Sequence, residues 1–256
     1  MRVRLPSGGL GGALAVAAAL AAPSSLAGFG VPRTDIRDLI TWAAPAAVDP
    51  AETPASRYGR LDREACEAQL SERHVGFSRV DEARGVLAPV RLRGPLHGVT
   101  FRSALSSAQR TSSALEIVDC RLALSLDDFA AQLETHGVVE VIHFSIYRPP
   151  STRWQRDRIA SRHPGGLAID AGWFVKQDGQ KLSVEHDFHG RIGAAPCGPN
   201  AGPQPATPEA VELRQILCEA AGARLFNVTL TPDFNWAHRN HFHLEVTAGA
   251  PRFYLR

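Results

Sequence analysis

The chain has 256 residues, of which 44% are hydrophobic and 21% charged, with a formal net charge of +2. That is enough chain for one large domain or two small ones, in the ordinary globular class. Both excess positive charges, Arg2 and Arg4, lie at the extreme N-terminus, so the remainder is near neutral and carries no electrostatic footprint for nucleic acid.

Residues 1–27 read as a signal peptide. Arg2 and Arg4 form a basic start, Leu10 to Ala22 is apolar but too short to span a bilayer comfortably, and Ser25-Leu26-Ala27 places small residues before a cleavage point at Gly28. No later segment is apolar enough to cross a membrane, so no stable membrane insertion is expected after cleavage. Residues 28–57, rich in Pro and Ala, read as an arm or linker. The folded part is expected over residues 58–256. Four cysteines, Cys66, Cys120, Cys197 and Cys218, include no CxxC pair. In an oxidising compartment they suggest two disulfides with three possible connectivities. The sequence-local pairing, Cys66–Cys120 and Cys197–Cys218, is favoured.

Leu126, Phe129, Ala130 and Leu133 share one helical face, with Ser125 as cap and Gly137 as stop. Val138 to Ile146 then reads as a buried strand, and Leu167 to Phe174 as a second, interrupted by Gly172. Gln177-Asp178-Gly179-Gln180 marks a hairpin turn into Leu182 to Val184. A second helix starts at Thr207-Pro208, buries Leu213, Ile216, Leu217 and Ala220, and stops at Gly222. Phe226 to Leu230 and His241 to Val246 complete the strands. The mixture predicts an α+β fold, a small antiparallel sheet flanked by helices.

Two clusters carry chemistry. In His238-Arg239-Asn240-His241-Phe242-His243 a strand puts His241 and His243 on one face. In Ser161-Arg162-His163-Pro164-Gly165-Gly166-Leu167-Ala168-Ile169-Asp170, the histidine sits in a glycine loop and the aspartate in the following apolar strand. A carboxylate in that setting is costly to bury unless it meets a cation. His163, Asp170 and one strand histidine make a His₂Asp set that suits Zn2+ and leaves a position for water, as metal-assisted hydrolysis requires. His74, His97, His136 and His143 lack partners at ligand spacing, and His186 and His189 read as solvent-exposed.

The pattern Ser161-x-His163-x-x-Gly166-x-Ala168-x-Asp170 followed by His241-x-His243 resembles the extensin-like C-terminal domain family of bacteria. It also resembles the wider LAS metallopeptidases, which include D-Ala-D-Ala carboxypeptidases, murein endopeptidases and the hedgehog-type domain. The resemblance runs from about Cys66 to Glu245. It implies His163, Asp170 and His243 as metal ligands, His241 and His238 as histidines beside the reacting water, and Arg148 as a substrate or oxyanion contact. Ser161 would support His163, and Glu245 and Asn240 would lie at the edge of the site. The Glu that carboxypeptidases of the group place shortly before the last ligand is missing here, since no acidic residue lies between Trp236 and His243. The implied function is an exported zinc peptidase acting on peptidoglycan peptides in the periplasm or outside the cell. The alternatives are a non-catalytic, metal-containing cell-wall-binding module, and a hydrolase of another envelope amide or ester.

Overall fold

The computed structural model describes residues 49–256, so the expected signal peptide and most of the expected arm lie outside the described residues. Ordered structure begins ahead of Tyr58. Pro50–Glu52 is a 3-10 turn and Pro54–Gly59 a helix in which Ala55 and Tyr58 are buried. A proline at the first helical position pre-sets that start, which a purely compositional reading takes for linker.

Ten strands follow in chain order: β1 (Phe77–Arg79), β2 (Pro89–Leu92), β3 (Thr100–Ser103), β4 (Val118–Asp119), β5 (Val138–His143), β6 (Ala168–Lys176), β7 (Lys181–Ser183), β8 (Val228–Leu230), β9 (Phe242–Glu245) and β10 (Tyr254–Leu255). β1, β2 and β4 make a small antiparallel sheet. The larger, seven-stranded sheet runs β10-β8-β9-β6-β5-β3, with β7 paired to β6. The class is α+β as expected, but the main sheet is larger than predicted and mixed rather than antiparallel. β3 pairs with β5, and β10 with β8, in parallel. Parallel neighbours need a crossover, and the helix Cys120–Thr135 lies in the connection between β3 and β5.

That helix begins five residues before the predicted cap at Ser125. Asp119 caps it instead, accepting from the Arg121 backbone N–H, and its carboxylate also takes the Arg121 guanidinium and the amides of Leu87 and Ala88. The helix Pro208–Gly222 starts as predicted, with the Thr207 side chain accepting from Ala210 N–H. Phe129 meets Phe226 and Phe174 edge to face, and Phe174 continues to Phe242, so helix and sheet share one aromatic core. Both disulfides pair as favoured, Cys66–Cys120 and Cys197–Cys218. Among the described residues no helix is long and apolar enough to cross a membrane.

One irregularity positions the site. Opposite β5, Ile142 pairs with Trp173 but His143 pairs with Ala171, leaving Gly172 as the extra residue of a bulge. The bulge switches the alternation of β6. Ile169, Ala171 and Phe174 all enter the core, and Asp170 is released to the opposite face. A side chain at Gly172 would press on the Phe144 ring, its Cβ 3.0 Å from Cε2.

Candidate metal centre

The register of β6 against β9 sets Asp170 directly opposite His243. Directly opposed residues project side by side on one face, here the face turned away from Phe242 and Leu244. His163 arrives from the 3-10 turn His163–Gly165 that leads into β6. This turn is tightly seated, because a Cβ on Gly165 would lie 2.2 Å from the Ala160 carbonyl oxygen. Arg162, just before it, has φ 54° and ψ −144°, a left-handed conformation that a non-glycine residue adopts at a cost of ~1–3 kcal/mol. Strain of this kind persists where the surroundings impose it, and here it accompanies the turn that aims His163.

The three side chains converge while buried. His163 Nε2 and His243 Nδ1 are 3.3 Å apart, and each lies 3.0 Å from Asp170 Oδ1. Four ligands at zinc bond lengths of about 2.0–2.1 Å around a tetrahedron stand about 3.3 Å apart, so the triangle matches one face of such a site. The tautomers agree. His163 Nδ1 lies 2.8 Å from the Ile146 carbonyl, which can only accept, so this nitrogen carries a proton. His243 Nε2 faces Glu245 Oε2 at 3.2 Å and donates to it. Two neutral imidazoles therefore turn lone pairs toward each other and toward a carboxylate oxygen. Three lone pairs at such distances repel unless a cation lies among them, and the cation is either a metal ion or a proton.

The charge balance points the same way. Burial alone would raise the Asp170 carboxyl, but with a proton shared among His163, His241 and His243 their hydrogen bonds outweigh burial and hold the group far below the usual carboxylate range. Burial lowers His243, yet Asp170 and Glu245 overcome it and raise its affinity for a proton. The Ser145 hydroxyl donates to Asp170 Oδ2 at 3.2 Å, and Arg148 Nη2 reaches the same oxygen at 3.5 Å from a largely exposed position.

His241 lies just before β9 rather than in it, with Nε2 3.3 Å from Asp170 Oδ1 and Nδ1 2.8 Å from Asn240 Oδ1. His238 stands beside it, ring centroids 5.2 Å apart. Its Nδ1 donates to Asn235 Oδ1, and burial together with His241 and His243 lowers its pKa to about 4, so the ring is neutral at pH 7. The residues expected from sequence thus stand around one point, except Ser161. Ser161 is exposed and makes no side-chain hydrogen bond to His163 among the described residues. The Ile146 carbonyl takes that part, because the Arg148 backbone N–H bonds the His163 carbonyl and draws the two stretches together.

Sequence reasoning passed over Ser145 and Asn235 and gave Glu245 only a marginal place at the edge. Glu245 could have been found from its spacing, two residues after His243 on the same strand face. His143 was dismissed for want of partners. It is fully buried, and neither ring nitrogen has a hydrogen-bond partner.

Residues 64–253 match the model of a family described as extensin-like protein C-terminus. Comparison with curated proteins and with solved structures gives no match.

Proposed function

The chain belongs to the extensin-like protein C-terminus family, and from that membership and the buried His–Asp–His triangle we propose that it is an exported zinc-dependent peptidase acting on peptidoglycan peptides. The observation that carries the proposal is the set of three converging lone pairs on His163, Asp170 and His243, the two imidazoles being held by acceptors on their far sides. We place the domain with the LAS and hedgehog-type metallopeptidases on the same residue pattern, and the protein in the periplasm or outside the cell. The two disulfides fit an oxidising compartment.

His163, Asp170 and His243 would hold the ion. Zinc at such a site supplies Lewis acidity, activating water near neutral pH and polarising a carbonyl. The chain's own groups then divide the remaining work. Ile146 and Glu245 fix the two ligand tautomers. His241 manages the proton beside the reacting centre. His238 stays neutral next to it, its Nδ1 proton held by Asn235, so its Nε2 can accept a hydrogen bond without adding a second positive charge. Arg148, with its guanidinium near Asp170 but open to solvent, steadies negative charge on the substrate or on the developing oxyanion.

The test is incubation of the mature protein with purified sacculi, following newly released amino groups. The wild type is expected to release them, with loss on chelation, recovery on zinc addition and no release by a His243→Ala variant. Wild-type cleavage rates in that variant would sink the mechanism. Zinc-retaining protein that binds sacculi and releases nothing would instead select a metal-containing wall-binding module, a reading favoured by the missing carboxylate between Trp236 and His243.

A further inference from the structure

Between Arg148 and His163 the chain makes a compact excursion whose ends meet, closed by the Arg148 N–H to His163 carbonyl hydrogen bond of 3.2 Å. Loops of this shape are frequently functional. Residues 148–162 carry five arginines, Arg148, Arg153, Arg156, Arg158 and Arg162, against one acid, Asp157. All five arginines are exposed. Elsewhere the described residues carry 19 basic side chains against 23 acidic ones, so the positive charge is a local excess beside the metal centre and not a property of the whole surface.

The loop is held in place. Ala160 N–H bonds the Gly85 carbonyl at 2.8 Å, and Trp154 Nε1 donates to the Arg158 carbonyl at 2.7 Å while the Arg158 guanidinium lies 4.6 Å over the indole ring. Its two ends lead into the site: Arg148 reaches Asp170, and Arg162 reaches Glu245 at 3.5 Å. Between them, Arg156 meets the exposed Glu82, at 3.6 Å, and Arg153 makes no ion pair among the described residues. These charges are therefore available to a ligand.

We infer that this arginine loop is a recognition rim for a peptide bearing several free carboxylates, which it binds beside the metal centre. The inference rests on the peptidase reading of that centre. Guanidinium groups match carboxylates in a two-point geometry. Four net charges are few beside the roughly six to ten phosphate contacts of a protein that grips a long nucleic-acid backbone. They suit a short peptide with two or three carboxylates. Each exposed pair contributes only a few-fold, so the three central arginines together are worth about tenfold in affinity.

The test uses fluorescence anisotropy with a labelled peptide, L-Ala-γ-D-Glu-L-Lys-D-Ala-D-Ala, and the same peptide with its carboxylates amidated. The proteins are wild type, an Arg153→Gln/Arg156→Gln/Arg158→Gln variant and the corresponding Lys variant, each with zinc and with chelator. Thermal melting of all three is measured as a check on folding. The Gln variant is expected to bind the free peptide about tenfold more weakly at 50 mM salt. The gap should close at 500 mM salt, the Lys variant should recover part of the affinity, and amidation should weaken binding to the wild type more than to the Gln variant. Wild-type affinity in a folded Gln variant or equal binding of the amidated peptide by the wild type would each overturn the inference. Hydrolysis is followed in the same samples. Arginine-dependent binding without cleavage defeats the peptidase reading alone, and cleavage without arginine dependence defeats the rim alone.

Discussion

His163 and His243 were legible as residues that could meet at one point because each has a side chain of the right chemistry at a spacing that a loop and a strand can bring together. What orients them was only half legible. Glu245 follows His243 by one strand period, but the Ile146 carbonyl that fixes His163 is backbone, and backbone has no signature in the sequence. The same limit explains Ser161, which the family pattern offers as a supporter and the fold turns to solvent. His143 is the opposite case, a residue with no motif whose burial gives it a consequence. Burial lowers its pKa to about 3, against about 6.5 in the unfolded chain. The unfolded state therefore takes up the proton first. This contribution to stability is complete above about pH 6.5 and is lost as the pH falls toward about 3, on the order of a few kcal/mol across the window. A His143→Leu variant removes two buried nitrogens that make no hydrogen bond, so it should be at least as stable at pH 7 and should flatten the acid side of the urea-unfolding profile. An unchanged slope between pH 4 and 6.5 would contradict this account of His143.

At the scale of elements, the two main helices were readable from periodicity, and the error at the first start has a plain cause. Ser125 is a good cap by type, but Asp119 offers a carboxylate that also anchors Arg121, Leu87 and Ala88, and Arg121 to Leu124 are buried helix formers. Gly172 was legible as an interruption but not as a bulge, since a bulge is defined by the partner strand. Its effect is to let one strand serve the core at Phe174 and the site at Asp170. The turn before that strand has less tolerance. A Gly165→Ala substitution drives a methyl group into the Ala160 carbonyl and must shift the turn bearing His163. The expected result is a loss of ~1–3 kcal/mol in stability and at least tenfold weaker zinc binding by competition with a chromophoric chelator. A Gly165→Ala protein with wild-type stability and zinc affinity would show that the turn is not held as tightly as drawn.

For the molecule as a whole, the class was legible and the topology was not. Alternating helix and strand patterns gave α+β, but short strands such as β1, β4 and β10 carry too few residues for a period, and nothing local announces that β3 and β5 run parallel. The cysteine pairing was favoured from sequence separation. Cys66–Cys120 closes a loop over 54 residues and joins the helix Arg63–Glu72 to the start of the helix Cys120–Thr135. Chain entropy gives such a link about 4 kcal/mol, so a Cys66→Ala/Cys120→Ala variant should melt about 8–16 °C lower. A shift under 3 °C would mean the link constrains little. The account as a whole turns on whether a metal ion or a proton occupies the triangle of His163, Asp170 and His243. Zinc analysis of the purified mature protein beside a folded His163→Ala variant decides it. The prediction is a zinc-to-protein ratio near one in the wild type and near zero in the variant. A wild type that takes up no zinc on reconstitution, or a variant that keeps it, would contradict the claim.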